Sequence, residues 1–388
     1  MSLEKTSAFR IIKELVSLGK LGYSMLASLS TTIYTTTSLS SKGYIYMQHL
    51  LAKQPKRGTA RFALYMIAGA GFLALMSAAS ISFGAADMSL YTAWRAVFNF
   101  NPNLTEHQII QTLRFPRTVA DLIVGCSLAI CGALMQGTTR NPLADSGLMG
   151  ISSGATFAIA LCMAFLPTRS YGQTMLFAFM GAAVTTGMTY SIASLGKRGM
   201  TPQRLVLAGI SISMLFGAFS QYISIKYRLG QALAYWTAGG TAGAKWSELA
   251  IVAPFFAVAV LASLALSPAV TVMSLGEDVA TGLGLKTRLV KGISTIIVLV
   301  LTGLSVIVVG PVGFVGLITP HIVRYLVGVD YRYIIPASGL YGALLTVTAD
   351  LVGRLINKPY ETPIGIIFAV VGVPYFLYLA RKQRREFE

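Results

Sequence analysis

The sequence predicts an all-α polytopic membrane protein with ten transmembrane helices, some of them short or broken. Of its 388 residues, 54% are hydrophobic and only 12% are charged, a composition unlike that of a water-soluble domain. Apolar runs of about 20 residues, the length that crosses a bilayer as a helix, recur along the chain. The predicted membrane domain spans residues 60–388.

The ten predicted spans differ in how strictly apolar they are. Two of them, 118–136 and 337–353, carry one acidic residue each, Asp121 and Asp350. A further segment, 311–328, is interrupted by prolines and glycines and predicts a short or discontinuous helix. The remaining seven spans are uncharged: 62–83, 147–166, 174–195, 205–225, 249–270, 292–310 and 363–380.

The distribution of basic residues predicts the orientation of the chain. The net charge is +17, and if the amino terminus is cytoplasmic, 22 of the 31 Lys and Arg residues fall on the inner side. Cytoplasmic loops of membrane proteins carry such an excess of Lys and Arg. We therefore expect a multi-pass protein with both termini in the cytoplasm, and we interpret the basic charge as a topology signal and not as a nucleic-acid site.

Residues 1–59 are basic and rich in Ser and Thr, and they lack a continuous apolar run typical of a signal peptide. We expect a poorly ordered or surface-lying cytoplasmic extension. An additional helix in the uncharged stretch that begins at Leu21 is the alternative.

The titratable residues argue against an enzyme or a carrier of bare metal ions. Asp121, Asp350 and His321 are the main titratable groups in or near the spans, and they lie on three separate segments. A carrier of bare metal ions would gather such ligands at one place. Catalytic motifs such as His-Glu-x-x-His are also missing from the sequence. No phosphate-binding loop has the required spacing. We expect no cofactor on this chain, with any ATP and Mg²⁺ held by a separate ATPase subunit.

Two interrupted stretches predict the transport path. "TTRNPLADSGLMGISSGA" (138–155) and "GPVGFVGLITPHIVR" (310–324) place Pro and Gly at membrane depth or at its edge. Irregular backbone survives there only when it is buried in protein or lines a cavity. Packing alone is the alternative for any single glycine. The predicted path residues are Gln136, Asn141, Pro142, Gly310, Pro311 and Gly313.

The same stretches carry a family resemblance. "RFPRTVADLIVG", "GALMQGTTRNPLADSGLMGISSGA", "GEDVATGLGL", "GPVGFVGLITPHIVRYLVG" and "PIGIIFAVVGVPYF" occur in order between residues 60 and 385. The chain resembles the permease subunits of type II ABC importers for iron-siderophores, haem and cobalamin, the FecCD family. The extension 1–59 has no counterpart in the family core.

This resemblance implies an assembly in the bacterial cytoplasmic membrane. The permease would pair with a second copy or a paralogue, two ATPase subunits would bind from the cytoplasm, and an extracytoplasmic binding protein would deliver the substrate. The loop 274–291 would fit into the ATPase, an ordinary solvated loop being the alternative. The residues so assigned to ATPase coupling are Gly276, Glu277, Asp278, Gly282 and Gly284.

The resemblance also assigns a docking role to arginines on the outer face. Arg114 and Arg117 of "RFPR" and Arg354 of "ADLVGR" would pair with acidic residues of the binding protein, and charge counting places all three outside. Anchoring to lipid headgroups is the alternative. Asp350 could be structural or functional, and the resemblance assigns no role to Asp121.

The predicted function is the permease subunit of a binding-protein-dependent ABC importer for an iron(III)-siderophore. Cobalamin or haem is the alternative substrate. An ion-coupled secondary transporter is the alternative of another class, and it would need titratable relay groups within the spans, which this sequence has in small number.

Overall fold

The computed structural model describes residues 57–84, 88–166, 168, 170–195, 202–358 and 360–385, and this part of the chain is helical without a β-strand. A π-helical turn, Ile110–Arg114, connects α3 with α4, and a 3-10 turn, Ser146–Met149, precedes α5. The α-helices in chain order are α1 (Arg57–Ser82), α2 (Leu90–Phe98), α3 (Thr105–Ile109), α4 (Phe115–Thr139), α5 (Ile151–Phe165), α6 (Tyr171–Ser194), α7 (Pro202–Lys226), α8 (Gly230–Ala238), α9 (Trp246–Ser274), α10 (Glu277–Gly282), α11 (Thr287–Val309), α12 (Val315–Val327), α13 (Tyr331–Ile356) and α14 (Ile364–Arg385).

Seven of these described helical runs are long and apolar enough to cross a membrane: α1, the continuous run through α3 and α4, α6, α7, α9, α11 and α13. Three shorter apolar helices, α5, α12 and the first part of α14, occupy the positions of the other predicted spans. The all-α membrane class is confirmed, and the number of ten crossings stays a prediction. The predicted extension, apart from its last three residues, lies outside the described residues.

Helix α4 forms the centre of the bundle because small residues let other helices approach it closely. An added Cβ at Gly125 would overlap the backbone carbonyl of Gly342 on α13, and one at Gly132 would overlap the carbonyl of Gly316 on α12. The other long helices surround this core, and α1 and α9 expose most of their apolar side chains outward. Such exposed apolar faces suit contact with lipid or with another membrane subunit.

The helix breaks lie where the interrupted stretches predict them. Helix α11 ends at Val309, and the left-handed backbone of Gly310 (φ 80°) turns the chain against the carbonyl of Trp236. Phe314 also has a positive φ, of 70°, and its ring packs where Gly372 of α14 leaves room. The helix that follows, α12, has only 13 residues, which confirms the predicted short helix.

Two predicted boundaries are wrong. The span predicted to start at residue 147 is helical as α5 only from Ile151, because Gly150 adopts a left-handed backbone (φ 77°) after the 3-10 turn. The span predicted to start at Thr118 belongs to a helical run that already begins at Thr105. Proline lacks an N–H donor, and the turn just before Pro116 is π-helical. The helical run continues through this turn into α4.

Candidate functional site

Arg114 is buried at the end of the bundle where α4 begins, and it binds the last turn of α1. It is 8% exposed, and its Nη1 donates hydrogen bonds to the backbone carbonyls of Ile81 (3.0 Å) and Ser82 (2.7 Å). The last carbonyls of a helix lack intrahelical donors and carry a partial negative charge. Arg114 therefore caps the carboxyl end of α1 from the side of α4.

Arg354 binds the same end of α1 from α13. It is 4% exposed, its Nη1 donates to the carbonyls of Ser80 (2.9 Å) and Phe83 (3.2 Å), and its Nη2 donates to the Ser80 hydroxyl. Its Nε lies 3.0 Å from Oδ2 of Asp350, one turn earlier on α13. Arg114 and Arg354 thus fix α1 to the core helices α4 and α13.

Arg117 lies between a buried and an exposed carboxylate. Its Nε and Nη2 donate to Asp350 at 3.1 and 2.7 Å, and its Nη1 donates to both carboxylate oxygens of Glu361 at 3.0 and 2.8 Å. The Asp350 side chain is 3% exposed, whereas that of Glu361 is 42% exposed. Asp350 is therefore the shared counter-ion of Arg117 and Arg354, which is a structural contact, and a functional role for Asp350 stays a prediction.

The three arginines predicted for docking therefore lie together in the fold. Their guanidinium groups are engaged within the chain, and Arg117, at 11% exposure, also contacts an exposed carboxylate. The docking role stays a prediction. The sequence reasoning missed Glu361, which lies 244 positions from Arg117 and belongs to no motif.

Asp121 joins the cluster from the interior of α4. It is fully buried, its Oδ1 accepts a hydrogen bond of 2.7 Å from the Thr241 hydroxyl, and it interacts electrostatically with Asp350 and both neighbouring arginines. Thr241 lies in the loop between α8 and α9, which is anchored to α11 by the hydrogen bond from the Gly240 amide to the Val309 carbonyl. Asp121 therefore connects the charged cluster to the loop between α8 and α9.

A cavity of about 560 Å³ opens beside the cluster. Its walls combine the charged residues Arg117, Asp350, Glu361 and Glu248 with the aromatic residues Tyr171, Tyr235 and Trp236, and the loop 239–243 forms one side. The cavity is thus lined by the ends of most core helices around Arg117.

The residues predicted for the transport path lie in three places: near the end of α4, in the loop that follows it, and in the segment before α12. Gln136 is 2% exposed, and its side-chain amide donates to the carbonyl of Gly316 (3.2 Å) and accepts from Arg324 (2.6 Å), so it connects α4 with α12. The Asn141 side chain accepts from the amide of Leu143 and closes a tight turn that includes Pro142. Gly310, Pro311 and Gly313 form the irregular segment before α12. Their transport role stays a prediction.

Loop 138–155 also buries a carboxyl group outside the helices. Asp145 approaches the first turn of α12 at Gly316, and burial raises the pKa of this carboxyl group, against hydrogen bonds from the backbone amides of Ser146 and Gly147.

At the opposite end of the bundle, α10 is a short helix between α9 and α11. Gly276 precedes it with φ 131°, and Gly284 follows it with φ 80°, so glycine is required at both turns. Glu277 forms a 2.8 Å ion pair with Lys291 on α11, and the hydrogen bond from Lys291 lowers the pKa of Glu277. Asp278 is exposed, and Gly282 has open space around it. The coupling role of these residues stays a prediction.

A bundle of long apolar helices, with shorter apolar helices between them and charged clusters at its two ends, is the architecture of a multi-pass membrane protein. The chain belongs to the FecCD transport family, whose family model matches residues 72–382. This membership confirms the resemblance noted in the sequence.

Individual relatives and a solved structure agree with this family. The chain is 45% identical over 322 residues to the iron(3+)-hydroxamate import system permease protein FhuB of Bacillus subtilis (strain 168). The matched region covers 83% of this chain and 84% of FhuB. It is 40% identical over 329 residues to the Fe(3+)-citrate import system permease protein YfmD of the same organism, covering 85% and 97% of the two chains. A solved metal-chelate type ABC transporter in an inward-facing conformation matches with a TM-score of 0.71 at 27% identity, covering 81% of this chain and 98% of that one.

Proposed function

We propose that this chain is the permease subunit of a binding-protein-dependent ABC importer that moves an iron(III)-siderophore across the bacterial cytoplasmic membrane. The observation that carries the proposal is the 45% identity to a ferric hydroxamate permease over most of both chains. We take a ferric hydroxamate as the substrate class. Haem and cobalamin are the alternatives that the test compares with it.

The proposal includes the partners that such a permease needs. A second permease subunit would complete the path, two separate ATPase subunits would hold ATP and Mg²⁺, and an extracytoplasmic protein would deliver the chelate. The position of α10 at the end opposite the arginine cluster supports one ATPase-facing and one binding-protein-facing surface. We assign both termini to the cytoplasm on the basis of the Lys and Arg distribution.

Reconstituted transport tests this function directly. Proteoliposomes containing the permease with its ATPase and binding protein are expected to accumulate radiolabelled ferric ferrichrome only when ATP is enclosed on the ATPase side. Ferric citrate, haemin and cobalamin serve as comparison substrates. Uptake by the permease alone without ATP would contradict the proposal and favour a secondary carrier.

The inner surface gives a second prediction about coupling. Replacing Glu277 with glutamine removes the ion pair to Lys291 that orients α10 against α11. Because an exposed ion pair contributes little, we expect transport per ATP hydrolysed to fall only about two- to fivefold, while the ATPase still binds. Glu106→Gln, which removes an exposed carboxylate on α3 at the opposite end of the bundle, is the matched control. Equal transport and equal ATP hydrolysis in both variants would exclude a positioning role for Glu277.

A further inference from the structure

Glu361 is more exposed than the other carboxyl groups of the charged cluster around Arg117. Asp121 is fully buried and Asp350 is 3% exposed, but the Glu361 side chain is 42% exposed while both of its oxygens bind Nη1 of Arg117. Glu361 therefore contacts the edge of Arg117 that a group arriving from outside would also reach.

The charges of the cluster show what kind of group fits this position. The five inner members are three arginines and two carboxyl groups, so the inner part carries at least one more cation than anions. They are Arg114, Arg117, Arg354, Asp121 and Asp350. A carboxylate at the outer edge of Arg117 completes the pairing, and Glu361 now supplies it. A carboxylate from another protein would satisfy the same guanidinium edge equally well.

The backbone around Glu361 allows such an exchange. Glu361 lies between α13 and α14 in a non-helical segment, and the next residue, Thr362, is held by a hydrogen bond of 3.1 Å from its amide to the carbonyl of Gly353. The backbone is thus fixed one residue away, while the side chain can leave Arg117 by rotation into solvent. The adjoining 560 Å³ cavity leaves room beside Arg117 for an entering side chain.

We infer that Glu361 is an internal competitor, which occupies the edge of Arg117 that an acidic side chain of the binding protein takes on docking. This inference rests on the proposed function, because it requires a binding protein on this face. Docking exchanges one carboxylate for another, so the buried Arg117–Asp350 pair stays intact. Glu361 then limits the affinity of the docked complex and favours its release.

The test measures docking of the purified binding protein of the same import system to the permease in lipid nanodiscs. Glu361→Gln is expected to tighten binding about two- to fivefold, the range set by one partly exposed ion pair. Glu106→Gln is the matched control, because it removes an exposed carboxylate from the same outer side, at the start of α3. The control should change the affinity by less than the Glu361 variant does.

A chemical readout follows Arg117 itself. Phenylglyoxal, which modifies accessible guanidinium groups, is expected to label Arg117 faster in Glu361→Gln than in the wild type, as measured by mass spectrometry. Saturating binding protein should suppress this labelling. Equal affinities for the two Gln variants, or weaker docking of Glu361→Gln, would overturn the inference while leaving the importer function in place. If the wild type does not dock at all, the importer function and the inference both fail.

Discussion

Replacing Gly132 with alanine is expected to destabilise the permease and to abolish most of its transport. A Cβ at this position would overlap the carbonyl, the carbonyl carbon and the Cα of Gly316, all of which are backbone atoms that no rotamer change can move away. Helices α4 and α12 would have to separate. Overpacking of a close-packed interior typically costs about 1–3 kcal/mol. Here the overpacked contact involves Gly316 in the first turn of the short helix α12.

The consequence extends to the polar contacts beside this crossing. Gln136, one turn further along α4, donates to the carbonyl of the same Gly316, and Asp145 approaches the same turn of α12. Separation of the two helices would break the hydrogen bond of Gln136 and leave its buried amide unpaired. We therefore expect the loss of transport in Gly132→Ala to exceed the loss of folded protein.

The measurements are the thermal unfolding midpoint in detergent and the uptake of ferric ferrichrome in proteoliposomes. Gly187→Ala on α6 is the matched control, because it introduces the same methyl group into a long helix where a Cβ meets no atom within 4 Å. Wild-type behaviour of Gly132→Ala would show that α4 and α12 do not form a fixed contact.

The fold was largely predictable from local properties of the sequence. Apolar runs of span length and the Pro and Gly interruptions depend on neighbouring residues, and each predicted span coincides with a helix, including the short α12. The exact helix starts were not predictable, because they depend on backbone geometry such as the left-handed Gly150. Short helices such as α2 and α8 carry no span-length signal.

The candidate site was predictable only in part, because its contacts join distant positions. The motif and the charge count selected Arg117, but its partner Asp350 lies 233 positions away and Glu361 lies 244 positions away. Nothing in the sequence spacing indicates which carboxylate an arginine meets across a helical bundle. The burial of Arg354 and its bonds to α1 likewise depend on helix packing.

Replacing Asp350 with asparagine is expected to have the largest effect on stability within the charged cluster around Arg117. Its carboxylate faces both Arg117 and Arg354, and the change leaves two guanidinium groups in the interior with a neutral amide between them. Removing one partner of a buried ion pair typically costs about 3–5 kcal/mol. The asparagine side chain has nearly the same volume, so the loss would report charge and not packing.

Thermal unfolding in detergent and the yield of folded protein measure this effect. Glu361→Gln is the matched control, because it removes a carboxylate from the same Arg117 at a position that is 42% exposed. An exposed pair contributes about 0–1 kcal/mol, so the control should unfold close to the wild type. Similar unfolding of both variants would contradict the assignment of Asp350 as the shared buried counter-ion.

A double-mutant cycle separates the pairing from other effects of each substitution. Arg117→Gln alone leaves Asp350 with Arg354 as its remaining partner. Asp350→Asn alone leaves Arg117 with Glu361 and removes the carboxylate that pairs with Arg354. Contacting residues give non-additive effects of about 0.5–3 kcal/mol. We therefore expect the double variant to lose less stability than the sum of the two single variants. Additive losses would mean that Arg117 and Asp350 act independently and that the 2.7 Å ion pair between them does not contribute to stability.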